Sequence, residues 1–204
     1  MYQFISQLIR RNRELLQDNN YPDAKPASNN NNETDIRAIL TTQSLAQNAL
    51  RRLQLSEDNH PVPPQIVVVG PTQVGKSTIA NILLQQHLAE SSAEAGFTVH
   101  CQGFHIVPQL QGRYTDKENW ATDYFGELKQ SPQKTLDRRV LSEYSLQEML
   151  SSSSPFIDNV VWDTPDFDSI RSFDYRAPLI KALALADLVV FVVSKDKYLS
   201  LIHI

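Results

Sequence analysis

The chain of 204 residues, 41% of them hydrophobic, is long enough for one α/β domain with a genuine core and short for two full ones. Its formal net charge of -4 gives no electrostatic case for a nucleic-acid-binding or membrane-coating protein, so no nucleic-acid partner is expected. The single cysteine, Cys101, excludes an internal disulfide and fits a reducing, cytoplasmic setting.

Residues 1–18 read as an amphipathic helix, with Phe4, Ile5, Leu8, Ile9, Leu15 and Leu16 at helical spacing and Arg10, Arg11, Arg13 and Glu14 on the other surface. No apolar region followed by a small-residue cleavage site is found there. Residues 19–34 hold prolines and an asparagine run and read as a flexible linker. A second helix is predicted within 35–60, from Asp35 to about Leu55, with Thr34 as its N-cap. Its greasy face is Ile36, Ile39, Leu40, Leu45, Ala49, Leu50 and Leu53. The prolines at 61, 63 and 64 make a stiff lead into a core domain over 65–204. The two helices could pack on each other, on that domain or on a partner.

The core domain opens with "QIVVVG", a short buried strand, followed by "GPTQVGKST" and the helix "KSTIANILLQQHLA". Alternation around "FTVHCQGFHIVPQL" suggests a second, ragged strand. Residues 111–155 are polar and helical in parts, "LDRRVLSEYSLQEML" being the strongest helical stretch. The strand "FIDNVVWD" comes next, then a helix near Ala177–Ala186 and the strand "LVVFVVS". The apolar run Ala182–Val193 falls short of the roughly 20 residues a spanning helix needs. It reads as a helix end feeding a fully buried strand. Strands separated by helical crossovers predict a mainly parallel sheet with helices on both faces. Cys101 reads as a buried small hydrophobe, and His100 and His105 as structural rather than metal-ligating.

"GPTQVGKST", Gly70 to Thr78, matches G-x-x-x-x-G-K-[ST] and lies between a strand and a helix, the arrangement that gives the pattern its meaning. Gly70 and Gly75 let the backbone turn tightly, and the amides from Gln73 and Val74 through Ser77 can point at phosphate oxygens beside the positive end of the helix. Thr78 completes the loop's binding set. Lys76 reaches the β/γ oxygens and Ser77 should ligate Mg2+. Asp163 ends the strand "NVVWD" at the carboxyl edge, where α/β sheets put their ligands, and is the candidate second magnesium ligand.

With these pieces placed, the sequence resembles the translation-factor-like P-loop GTPases, and within them the dynamin-related large GTPases. The resemblance covers roughly Gln65 to Tyr198. In that class the second motif reads D-x-x-G, and here it is "DTPD", Asp163 to Asp166. Asp166 therefore stands where a glycine amide would meet the γ-phosphate, which implies a nucleotide contact by its amide and a negative side chain close by. An aspartate there bears on switching and hydrolysis more than on binding. Phe167 stands where Ras-like members carry a water-orienting glutamine, as in the subgroup with a hydrophobic residue. "AGFTVHCQG" looks like the first-switch run, which implies that Thr98 meets magnesium and the γ-phosphate and acts with Lys76 in catalysis.

The guanine motif N/T-K-x-D is not found: "SKDK" lacks the intervening residue, and Lys195 and Asp196 are not assigned to the base. The expectation is a truncated domain that stops before its base-recognition strand. The function implied is GTP binding with Mg2+-dependent hydrolysis. Guanine nucleotide is the partner, with room for self-association through the domain and for a peripheral membrane link. Two other readings stay open: an ATPase or nucleotide kinase using the same loop, and a scaffold that binds nucleotide without hydrolysing it.

Overall fold

The computed structural model describes residues 30–57, 62–89, 98, 100–109, 119–133, 142–166 and 176–195. The helix expected within 1–18 lies outside them. The elements in chain order are α1 (Asn30–Glu57), β1 (Gln65–Val69), α2 (Lys76–Leu84), β2 (Cys101–Pro108), α3 (Asn119–Phe125), β3 (Lys129–Gln130), β4 (Glu143–Ser151), β5 (Val160–Asp163), α4 (Arg176–Leu185) and β6 (Leu188–Phe191).

A strand that is apolar without alternation needs cover on both faces, and β1 has it. Val67 and Val69 pack with Trp120, Tyr124 and Phe125 of α3 and Leu179, Ala182 and Leu185 of α4. Ile66 and Val68 point the other way, onto Ala80 and Leu84 of α2. The sheet runs β3-β4-β2-β5-β1-β6. All neighbours are parallel except β2 and β5, so the sheet is mainly parallel with helices on both faces, as expected for a P-loop NTPase. The parallel trio β5, β1 and β6 ends at one edge, and the loops that follow those strands meet there.

Four expectations give way. Within the stretch read as the strongest helix, Glu143–Ser151 is strand β4, parallel to β2 along its length. Leu, Gln, Glu and Met favour a helix, but propensity is a weak prior that tertiary pairing overrides. Tyr144, fully buried, stacks on Phe125 with ring centroids 4.2 Å apart, which fixes β4 in the core. The helix after the phosphate loop stops at Leu84, where Gln85 takes a left-handed φ of 56°, not near Ala89. β5 starts at Val160, because the turn before it places Asp158 at φ 63°. Among the described residues β6 is an edge strand, not a buried one: Leu188, Val189 and Phe191 are all about half exposed.

The N-terminal helix differs as well. α1 begins at Asn30, so it takes in the end of the expected linker, and Thr34 lies inside it rather than at its cap. Leu53 is half exposed, while Leu55 packs on the core beside α3 and α4. Of the three placements open from sequence, the helix packs on the core domain. Polar contacts hold it there. Arg51 donates to the Asp123 carbonyl, and Arg52 reaches both oxygens of Asp187 at 2.6 Å. Asp187 Oδ2 also accepts the main-chain N–H of Gln65 at 2.8 Å, so one carboxylate ties α1 to the first residue of β1.

The Asp187 side chain is 44% exposed, so solvent screens the ion pair and leaves it a few tenths of a kcal/mol. Asp187→Ala also leaves the Gln65 N–H without that acceptor, and the combined loss should be ~1–1.5 kcal/mol. Arg52→Ala should cost only ~0.5 kcal/mol. Urea unfolding of the two variants measures the difference, and equal losses would refute the role given to Gln65. Among the described residues no helix is long and apolar enough to cross a membrane.

Candidate functional site

β1 delivers the chain to Gly70, and the next turn is shaped by what touches that residue. A Cβ on Gly70 would lie 2.3 Å from the Val192 carbonyl oxygen and 2.9 Å from Val74 Cγ2. The backbone just after β6 passes too close for any side chain. The loop bends again at Gln73, exposed with φ 59°, and at Gly75, φ 91°, conformations that L side chains adopt at a cost. Gly75 is the N-cap of α2, and no side chain caps that helix end. The first-turn N–H groups of α2 therefore keep the direction a bound anion would use.

Lys76 opens α2 with its side chain buried. Its ammonium donates to the Pro71 carbonyl at 3.0 Å and to Asp166 Oδ1, in an ion pair buried on both sides. One residue on, Ser77 Oγ donates to Asp163 Oδ2 at 2.7 Å. This pairing across the sheet follows from register, since Val68 of β1 lies opposite Asp163 of β5. Thr164 Oγ1 donates to the Val68 carbonyl at 2.8 Å and pins the segment after β5 to β1. Asp163 and Thr164 are fully buried.

Asp163 Oδ1 is buried and accepts no hydrogen bond among the described residues. Burial raises the Asp163 pKa from the ordinary carboxylate value to about 6, against the Ser77 hydroxyl and the Lys76 ammonium, which lower it. A carboxyl whose folded pKa is raised keeps its proton longer folded than unfolded, so folded-state stability falls as pH rises through that window. Without magnesium, the chain should lose on the order of 3 kcal/mol between about pH 4 and pH 6 from this group. Asp163→Asn should flatten that slope. Urea midpoints across the range check the sign, and a slope unchanged in the variant would contradict it.

An orphaned carboxylate oxygen beside a serine hydroxyl is a donor set that suits a hard divalent cation taking oxygen ligands. The residues fit Mg2+, and Ser77 and Asp163 are the ones that would hold it.

Gly70, Gly75, Lys76, Ser77, Asp163 and Asp166 converge on this edge of the sheet, with Val74 packed against Gly70. Thr78 is exposed on the first turn of α2. Thr98 is half-buried ahead of β2, and no hydrogen bond among the described residues brings it to Ser77 or Asp163. Lys195 is exposed, and Phe167 and Asp196 lie outside the described residues. His100, Cys101 and His105 are buried on or beside β2. Burial pushes the Cys101 thiol far above its ordinary value, and no group of three or more His, Cys, Asp or Glu gathers as a metal cluster among the described residues.

Sequence reasoning missed two features here, the Asp166 carboxylate on Lys76 and the Thr164 anchor. Only the aspartate in a glycine position signalled the first.

The sequence profile of the family described as 50S ribosome-binding GTPase matches residues 65–203. No curated protein matches the chain.

Proposed function

The chain belongs to the 50S ribosome-binding GTPase family, and on that premise we propose that residues 70–78 hold the phosphates of GTP for Mg2+-dependent hydrolysis. The observation that carries this reading is the pairing of Ser77 Oγ with Asp163 Oδ2 beside the buried Lys76, with Asp163 Oδ1 left open for a cation.

The left-handed turn at Gly75 aims the loop amides and the start of α2 at the phosphates. Lys76 offsets charge on the β and γ oxygens as water attacks phosphorus in line and the bond to the β-γ bridging oxygen breaks. Mg2+, which Ser77 and Asp163 would hold, would supply further positive charge to offset that of the phosphates. Ser77 and Asp163 orient that site, and Thr98 is the candidate for the first-switch contact.

The finer assignment, to the dynamin-related group, is supported by Phe167 standing where Ras-like members carry glutamine and by the packing of α1 on α3 and α4. A second reading, binding without turnover, is favoured by one observation: the Asp166 carboxylate sits on Lys76.

The test is competition and turnover on the full chain. Magnesium-dependent GTP binding that excess ATP does not displace, with phosphate release, supports a GTPase. Binding without release supports the second reading. Equal displacement by ATP would sink guanine specificity.

A further inference from the structure

We propose that Asp166 makes the phosphate loop selective for a nucleoside diphosphate over a triphosphate, by giving Lys76 the anionic partner that a terminal phosphate would otherwise supply. The inference rests on the phosphate-binding reading above and concerns which nucleotide that site prefers.

An ammonium has three N–H donors. Those of Lys76 serve the Pro71 carbonyl and Asp166 Oδ1, which leaves one direction. A diphosphate asks the loop lysine for one contact, to its β-phosphate. A triphosphate asks for two, to β and γ. The diphosphate can therefore be held with the Lys76–Asp166 pair intact, whereas the triphosphate must break it.

Asp166 is also poorly placed to step aside. Asp163, Thr164 and Pro165 before it are all buried, and the Thr164 hydroxyl bonds the Val68 carbonyl of the central strand. The ring of Pro165 fixes one backbone dihedral of the same short segment. The carboxylate is buried and the residues that precede it are tied to the central strand. A γ-phosphate reaching Lys76 would lie against that carboxylate, like charge on like charge where water screens little. Such repulsion separates two ligands that share every other contact.

The experiment titrates the full chain with GDP and with GTP in the presence of Mg2+, for wild type, Asp166→Asn and Asp166→Gly. Asparagine keeps the shape and removes the charge; glycine removes the side chain. Wild type should bind GDP at least ~10-fold tighter than GTP, and both variants should raise the GTP-to-GDP affinity ratio by ~10-fold or more.

A merely structural Asp166 would weaken both nucleotides together and leave the ratio where it was, which would overturn the proposal. Wild-type binding of GTP as tight as GDP would overturn it too. So would variants that gain both nucleotides equally. If no form of the chain binds either nucleotide, the phosphate-binding reading itself fails. Lys76-dependent binding with an unmoved ratio fails the selectivity alone.

Discussion

Lys76→Ala is expected to weaken GTP and GDP binding at least ~100-fold, about 3 kcal/mol, because the lost ammonium makes charge-assisted bonds in a buried site. The same substitution leaves the buried carboxylates of Asp163 and Asp166 without their nearest cation. Removing one partner of a buried pair costs ~3–5 kcal/mol in general, so the variant should also unfold at lower urea. Lys76→Arg separates the two effects. It keeps the positive charge, and with it most of the stability, but a planar guanidinium cannot reproduce the point contact of an ammonium. Lost binding in a stable Lys76→Arg chain would locate the effect at the phosphates. Affinity within ~3-fold of wild type for Lys76→Ala would remove the lysine from the site.

Gly70→Ala should be as damaging, through space alone. The added methyl would meet the Val192 carbonyl oxygen at 2.3 Å, and that oxygen belongs to backbone, which cannot rotate away as a side chain can. The Val192 N–H also donates to the Val69 carbonyl at 2.8 Å, so relief means parting the segment after β6 from the end of β1. The cost of forcing a methyl into packed backbone is ~3 kcal/mol, at the upper end for overpacking, and the loop that follows should lose its phosphate geometry. Urea unfolding and GTP titration read the two consequences. A variant within ~0.5 kcal/mol of wild type would mean that the β1–β6 contact is looser than described.

The parts of the site that were legible in the sequence are those whose chemistry fixes residue types at close spacing. Gly70, Gly75, Lys76 and Ser77 lie within one turn and the start of one helix, so their arrangement is local. Asp163 was legible because an apolar strand ends on it. The long-range contacts were not. Lys76 meets Asp166, and Arg52 meets Asp187, from positions far apart in the chain, and no local pattern encodes either pair. β4 was misread for the same reason: Tyr144 is a strand residue because Phe125 and β2 lie beside it. In β6 the apolar run suggested burial on both faces, but burial depends on neighbours, and an edge strand in this sheet has one neighbouring strand. The docking of α1 depends likewise on a carboxylate far along the chain.

The central claim is that Ser77 and Asp163 form the cation side of a phosphate site, and calorimetric titration of GTP with and without Mg2+ tests it most directly. Wild type should bind GTP at least ~10-fold tighter with Mg2+ than in chelator, and Asp163→Asn should lose most of that gain. GTP affinity that ignores Mg2+ in the wild-type chain, or a magnesium effect undiminished in Asp163→Asn, would contradict the account.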